Sequence, residues 1–288
     1  MRMLNHKRIK ENMASRFWKD QIYKSISYMT MLFSICILIL LLYQIFEKGI
    51  SYLSIDFFMN FASRNPKQAG IAAALSGTIV FMSIVVPVSF VFGVGTALYL
   101  EHYAKHSVFT RIIELNIQTL AGVPSVVFGL LGLTIFVYGL QLGESIVTAA
   151  FTMSLLVLPT VVVSSQEAIR MVPASLLEAS YGIGATKWQT MYQIVLPTAL
   201  PGILTGCVLA LSRAIGETAP LLVIGALAFA NYIPLNMFDR FTVLPIQIFN
   251  WMSRPQEEFQ HVAAAGMIVL LGLLLIINVV VLWLRNRK

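Results

Sequence analysis

The chain has 288 residues, 58% of them hydrophobic and 11% charged, with a mean hydropathy of +0.79. A soluble domain carries about 25% charged residues, so this composition excludes one and implies an integral membrane protein. The net charge of +7 does not point to nucleic acid, because seven of the twenty Lys and Arg lie in the first 24 residues, where attraction to anionic lipid headgroups accounts for them.

Residues 1–28 come first. Ile9, Met13, Phe17, then Trp18, Ile22 and Ile26 recur every four residues with Lys and Arg between them. This spacing predicts a basic amphipathic helix on the membrane surface, with a solvated tail as the alternative. The apolar run that follows, 29–46, lacks a small-residue cleavage site, so it is a retained span rather than a leader. A span needs about 20 mostly apolar residues, and six stretches qualify: 29–46, 71–100, 120–140, 146–163, 202–230 and 262–284. The second and fifth exceed the requirement, which predicts tilt or a break at Pro87 and Pro220. Cys36 and Cys207 both fall inside apolar runs and are expected to be small buried hydrophobes.

Orientation follows from the connectors. With the N-terminus inside, fourteen of the twenty basic residues fall on inner segments and five on outer ones, which places both termini in the cytoplasm. The expected fold is therefore all-α: a single six-span permease domain over 29–284, behind the N-terminal segment. The outer connectors 53–63 and 244–253 are aromatic-rich, as expected of segments lying at the interface or facing an extracytoplasmic partner.

The connector 164–201 is predicted to be cytoplasmic. Pro173 closes the preceding helix and Ser175 is the expected cap of the next. Gly182 and Gly184 permit a tight turn. Lys187–Val195 forms a second short helix, which Pro197 and Pro201 stop before the next span. The result is a helical hairpin held to the membrane at both ends. Gly182–Lys187 only loosely imitates a phosphate loop: the G-x4-G-K-[ST] spacing is absent and no strand precedes it.

Arg213 lies twelve residues beyond Pro201, about 18 Å along a helix and close to mid-bilayer. An Arg there costs about 2.5–3.5 kcal/mol on insertion scales, so it is expected to face the bundle interior. Glu217, at i+4, falls on the same helical face. Either the two neutralise each other, or Arg213 meets an anionic cargo, its planar fork suiting an oxyanion. Gly202, Gly206, Ala210 and Ala214 form a small-residue ridge beside them, suited to close helix packing.

Glu178, Ala179, Ser180, Gly184, Ile194, Leu196 and Pro197 match the spacing EAA-x3-G-x9-I-x-LP. This resembles the EAA motif of ABC importer membrane subunits, with Ser180 in place of the second Ala. The resemblance implies that the hairpin between helices 4 and 5 couples to a separate ATPase. Arg213–Leu222 (RAIGETAPLL), Ser63–Ile71, Leu98–Glu101, Gly122–Leu130 and Thr242–Trp251 resemble the phosphate-importer permease family more narrowly. That resemblance implies an ATP-driven phosphate permease of the bacterial inner membrane, not itself an enzyme. Its implied partners are a sister phosphate permease, a dimer of ABC ATPase subunits, an extracytoplasmic phosphate-binding protein and membrane lipids. ATP and Mg would be used by the ATPase, and no cofactor would be bound by this chain. Arg213 and Glu217 are the positions to which the family's transport residues carry over. Pro124 and Ser125 are candidates for the pathway or for helix packing. Another oxyanion, such as sulfate or molybdate, and an ATP-independent transporter or channel are the competing readings.

Overall fold

The structure, a computed structural model, describes residues 6–105, 107–226 and 229–286. Residues 1–5 of the basic segment, 227–228 of the fifth apolar stretch and 287–288 of the C-terminal cluster lie outside the described residues, as do the side chains of Ile9 and Met13. All regular structure among the described residues is helical.

The basic segment and first span form one helix, α1 (His6–Gly49), of 44 residues. Its length is about 66 Å, twice a hydrocarbon core. Nothing separates a surface helix at 1–28 from a span at 29–46, because the sequence has no Pro or Gly between His6 and Lys48. Cys36 on this helix is exposed, against the expectation, whereas Cys207 is buried.

Next come α2 (Ile55–Met59), capped by the Ser54 hydroxyl, and α3 (Ala72–Leu98), which continues through a π-helical turn, Tyr99–Tyr103. Pro87 sits inside α3 without breaking it. The third apolar stretch is built differently from a straight span at 120–140. Helix α4 (Val108–Leu120) stops at a corner, Ala121–Pro124, and α5 (Ser125–Gly132) leaves it, running on in π form to Gly139. The two axes are bent by 107°. Pro124 explains the corner, since the residue preceding a proline is driven out of the helical region.

Helix α6 (Ile146–Arg170) extends seven residues beyond the expected end at 163. After α7 (Ala174–Gly182) and α8 (Lys187–Thr190), a π-helical segment Met191–Val195 leads straight into α9 (Leu196–Gly216). Lys187–Gly216 is thus one helix of 30 residues. Pro197 and Pro201 do not stop it: Pro197 occupies the first turn of α9 and the π segment precedes it, so the missing N–H is absorbed. The break comes instead at Glu217–Thr218, before α10 (Ala219–Ile224), with Pro220 in the first turn of α10. Helices α11 (Leu244–Met252) and α12 (Glu257–Asn286) complete the chain.

Five helices are long and apolar enough to cross a bilayer, or six if the bent α4–α5 pair counts as one crossing. Helices α3, α6 and α9 form the centre, with Phe81, Val85, Met153, Val161, Val162 and Ile203 all but inaccessible. In lipid, apolar area alone does not drive helices together, and close van der Waals packing must. The small-residue ridge supplies it. A Cβ on Gly202 would lie 2.8 Å from the Ala168 side chain, and one on Gly206 would collide with Ser164. Ala210 and Ala214 are buried further along the same face.

A second cluster joins the two aromatic connectors. Phe57 and Trp251 have ring centroids 6.1 Å apart, packed with Ile71, Leu244 and Phe259. Trp251 is fully buried, so it is core rather than an interfacial anchor. At this end Lys48 O lies 3.1 Å from His261 Nδ1, and Ile146 N donates to Asp239 O. The chain therefore enters α12 beside the end of α1, and α6 beside the connector that holds Asp239. The hairpin lies at the opposite end, with the ends of α3, α6 and α12.

Candidate functional site

The hairpin's turn is a Schellman motif. Gly184 N donates to Tyr181 O and Ala185 N to Ser180 O, which closes the carbonyl end of α7. The motif needs one left-handed residue, and Gly184 has φ +87° with open space around it. Its requirement is conformational, not steric. Thr186 then starts α8 with a capping box, exchanging bonds with Gln189. Pro173, not Ser175, stands at the N-cap of α7, with no side-chain bond. No strand precedes Gly182–Lys187 among the described residues, and the segment joins two helices.

Ser180 is buried at 3% exposure, and its Oγ lies 2.8 Å from Thr190 Oγ1. Thr190 also donates to Thr186 O at 3.1 Å. The departure from the EAA pattern thus places a hydroxyl pair between α7 and α8. Glu178, Ala179 and Pro197 are exposed; Ile194 and Leu196 are half-buried. Ile183, Trp188 and Tyr192 also stand out of the hairpin, with the Trp188 and Tyr192 rings stacked at 6.4 Å. An exposed, rigid, partly apolar tip is the form of a docking surface.

Arg213 lies in the last turn of α9, where the carbonyl end of the helix favours a cation. It lines a crevice of about 20 Å3 with Leu120, Ala121, Val123, Phe128, Leu156, Val157, Thr160 and Ala210. Leu156–Thr160 is the middle of the 25-residue α6, so Arg213 sits near mid-span. The crevice also brings it to the α4–α5 corner through Leu120, Ala121 and Val123, while Pro124 and Ser125, which follow in sequence, do not line it. The first turn of α5 has no side-chain cap, which leaves amide N–H groups unpaired at that corner.

Glu217 is the residue that ends α9, with φ −78° and ψ 129°. The ion pairs among the described residues are Arg170–Glu101 and Arg240–Glu144; Arg213 and Glu217 enter neither. Pro220 then packs α10 on α5: a Cβ on Gly129 would lie 2.8 Å from Pro220 Cα. Two interrupted helices, α4–α5 and α9–α10, thus meet around one arginine.

Several polar residues were not evident from sequence. Thr160 faces the Arg213 crevice. Ser212 Oγ donates to Asn278 Oδ1 at 3.2 Å, joining α9 to α12. Glu101 binds Gln166 and Arg170. The available signal was a polar residue within a long apolar run, as at Gln166 and Asn278.

An interrupted-helix bundle with a helical hairpin at one end is the architecture of a polytopic membrane protein. Residues 89–287 match the family described as "Binding-protein-dependent transport system inner membrane component", and the chain belongs to that family. It is a multi-pass protein of the bacterial inner membrane. It is 30% identical over 290 residues to the "Phosphate transport system permease protein PstA" of Haemophilus influenzae (strain ATCC 51907 / DSM 11121 / KW20 / Rd), covering 97% of this chain and 100% of that one. It is 35% identical over 195 residues to "Phosphate transport system permease protein PstA 1" of Mycobacterium tuberculosis (strain CDC 1551 / Oshkosh). That match covers 67% of this chain and 63% of the mycobacterial protein, so the chain spans less than two thirds of that relative's length. Among solved structures, a bacterial ABC transporter that imports the acidic polysaccharide alginate superposes with a TM-score of 0.67 at 16% identity, covering 94% of this chain and 99% of that one. An inward-facing methionine ABC transporter gives 0.61 at 17% identity, covering 75% and 95%. At such identities these two speak for the fold alone.

Proposed function

We propose that this chain is the membrane-spanning permease subunit of an ATP-driven importer of inorganic phosphate. The observation that carries the reading is Arg213: a guanidinium near mid-span, without a carboxylate partner among the described residues. Arg213 is exposed in the isolated chain; a cation at that depth of the membrane is stabilised by an anion, and a planar fork of N–H donors suits a tetrahedral oxyanion. The phosphate permeases to which the chain is similar along most of its length favour phosphate over sulfate or molybdate.

In this reading the hairpin end is cytoplasmic, as are both termini, and six crossings carry the chain between them. The tip around Glu178 docks on an ATPase subunit, with Ala179, Ser180, Gly184, Ile194, Leu196 and Pro197 shaping it. A sister permease covers the open side of the Arg213 crevice, and an extracytoplasmic phosphate-binding protein delivers cargo. ATP and Mg are used by the ATPase dimer, and this subunit is non-catalytic. The crevice has room for about one water, so phosphate passes only when α9 separates from the α4–α5 corner. ATP binding drives that separation through the hairpin. Glu217, at the break between α9 and α10, faces the pathway in this reading.

Labelled phosphate uptake in cells lacking this chain, with and without its return and with excess sulfate, tests the proposal. Restored uptake that sulfate leaves untouched supports it. Equal competition by sulfate moves the cargo to a broader oxyanion class, and restored uptake without a copurifying ATPase overturns the ABC reading.

A further inference from the structure

The hairpin has two stems, and both are tied to one turn of a third helix. The first stem is the end of α6. There Glu101, in the π-helical turn that ends α3, accepts from Gln166 Nε2 at 2.9 Å through Oε1. It also holds the Arg170 fork, with Nη2 at 2.7 Å and Nε at 2.9 Å. The second stem begins at Lys187, the first residue of α8. Its Nζ donates to His102 O at 2.8 Å and lies 5.5 Å from the Tyr103 ring centroid. A Lys on the last carbonyls of a helix satisfies unpaired acceptors and meets the negative end of the dipole. So three consecutive residues, Glu101–Tyr103, grip the chain both before and after the coupling tip.

We propose that this turn is a second coupling element, and that Glu101, Arg170 and Lys187 are positioning residues that carry displacement of the hairpin into α3. This rests on the ABC reading above and adds to it a route that bypasses the EAA residues. Without the turn, the hairpin's two stems lead only to α6 and α9. With it, a shift of α7 and α8 pulls on α3 as well, and the three central helices move together. Partly exposed ion pairs such as Arg170–Glu101 add little to stability, whereas the apolar contacts of α3, α6 and α9 hold the bundle. The ties therefore fit a role in direction of movement better than one in holding the fold. Single π-helical turns of this kind recur at functional positions in helices.

The test uses the assembled complex in proteoliposomes, reading ATP hydrolysis and phosphate transport together. Glu101→Gln keeps the shape and loses the charged fork. Lys187→Met keeps the stem and loses the donor. Both are expected to assemble and hydrolyse ATP while phosphate moved per ATP falls about fivefold or more, the low end of ordinary coupling strengths. Lys187→Arg, which keeps a donor, is expected to restore the ratio. Wild-type ratios in both Glu101→Gln and Lys187→Met overturn the proposal. So does parallel loss of assembly and hydrolysis, which would make the turn a structural brace. A wild-type complex without ATP-dependent transport would sink the importer reading itself, a different result from either.

Discussion

Arg213 and Glu217 are four residues apart at the end of α9 and enter no ion pair among the described residues. Helix α9 closes at Gly216, and Glu217 swings into an extended conformation at the break. The guanidinium is left with the α4–α5 corner and the middle of α6. Arg213→Ala is therefore expected to abolish phosphate uptake with the complex still assembled, since no intramolecular ion pair is lost. Arg213→Lys keeps the charge but not the fork, and should leave weakened uptake with a raised KM. Uptake kinetics on both variants, with complex recovery by size exclusion, check this.

Glu217→Gln follows a different logic. If Glu217 only neutralised Arg213, its loss would resemble loss of Arg213. No ion pair joins them among the described residues, so Glu217→Gln is expected to retain assembly and phosphate recognition, and to alter the rate rather than the KM. A double-mutant cycle with Arg213→Lys should be near additive.

Gly184 carries the left-handed step of the Schellman turn and has no neighbour to collide with. Gly184→Ala should therefore cost about 1–2 kcal/mol locally through backbone strain alone. Gly184→Asn should cost less, since Asn tolerates that conformation. Proteolysis of the hairpin, compared across the two variants, should rank them in that order.

Gly206 lies against Ser164 where α9 crosses α6. Gly206→Leu is expected to prevent normal packing and reduce yield of folded protein. A bulky change at exposed Gly182 should not, because nothing stands near it. Thermal stability in detergent measures both.

Ser180 and Thr190 form a buried hydroxyl pair. In Ser180→Ala, Thr190 keeps its bond to Thr186 O, so the loss should be within about 1.5 kcal/mol. Ser180→Leu overfills the same contact and should disrupt the hairpin. The motif's usual Ala is thus expected to be tolerated here.

The helical class and the apolar stretches were legible because hydropathy and length act over many residues at once. The hairpin was legible too, since Gly184 and the surrounding motif are local signals. What was not legible depended on partners distant in sequence. Pro197 and Pro201 read as stops, yet the helix runs through them because a π segment and tertiary packing support the backbone. The connector 244–253 read as interfacial or partner-facing, yet its Trp251 is buried in a cluster with Phe57 and Phe259. The i+4 spacing of Arg213 and Glu217 allowed either an ion pair or an anion site, and no ion pair joins the two among the described residues. Glu101 fell within a segment that carried the family resemblance, but its ties to the hairpin were not legible, since Lys187 joins this turn from 85 positions away.

The central claim is that Arg213 recognises phosphate in an ATP-driven pathway. The direct measurement is ATP-dependent uptake of labelled phosphate into proteoliposomes holding the assembled complex, with wild-type chain and with Arg213→Ala. The account predicts uptake by the wild type that needs ATP and resists excess sulfate, and none by the variant at unchanged assembly. Full uptake by Arg213→Ala, or wild-type uptake that does not need ATP, would contradict it.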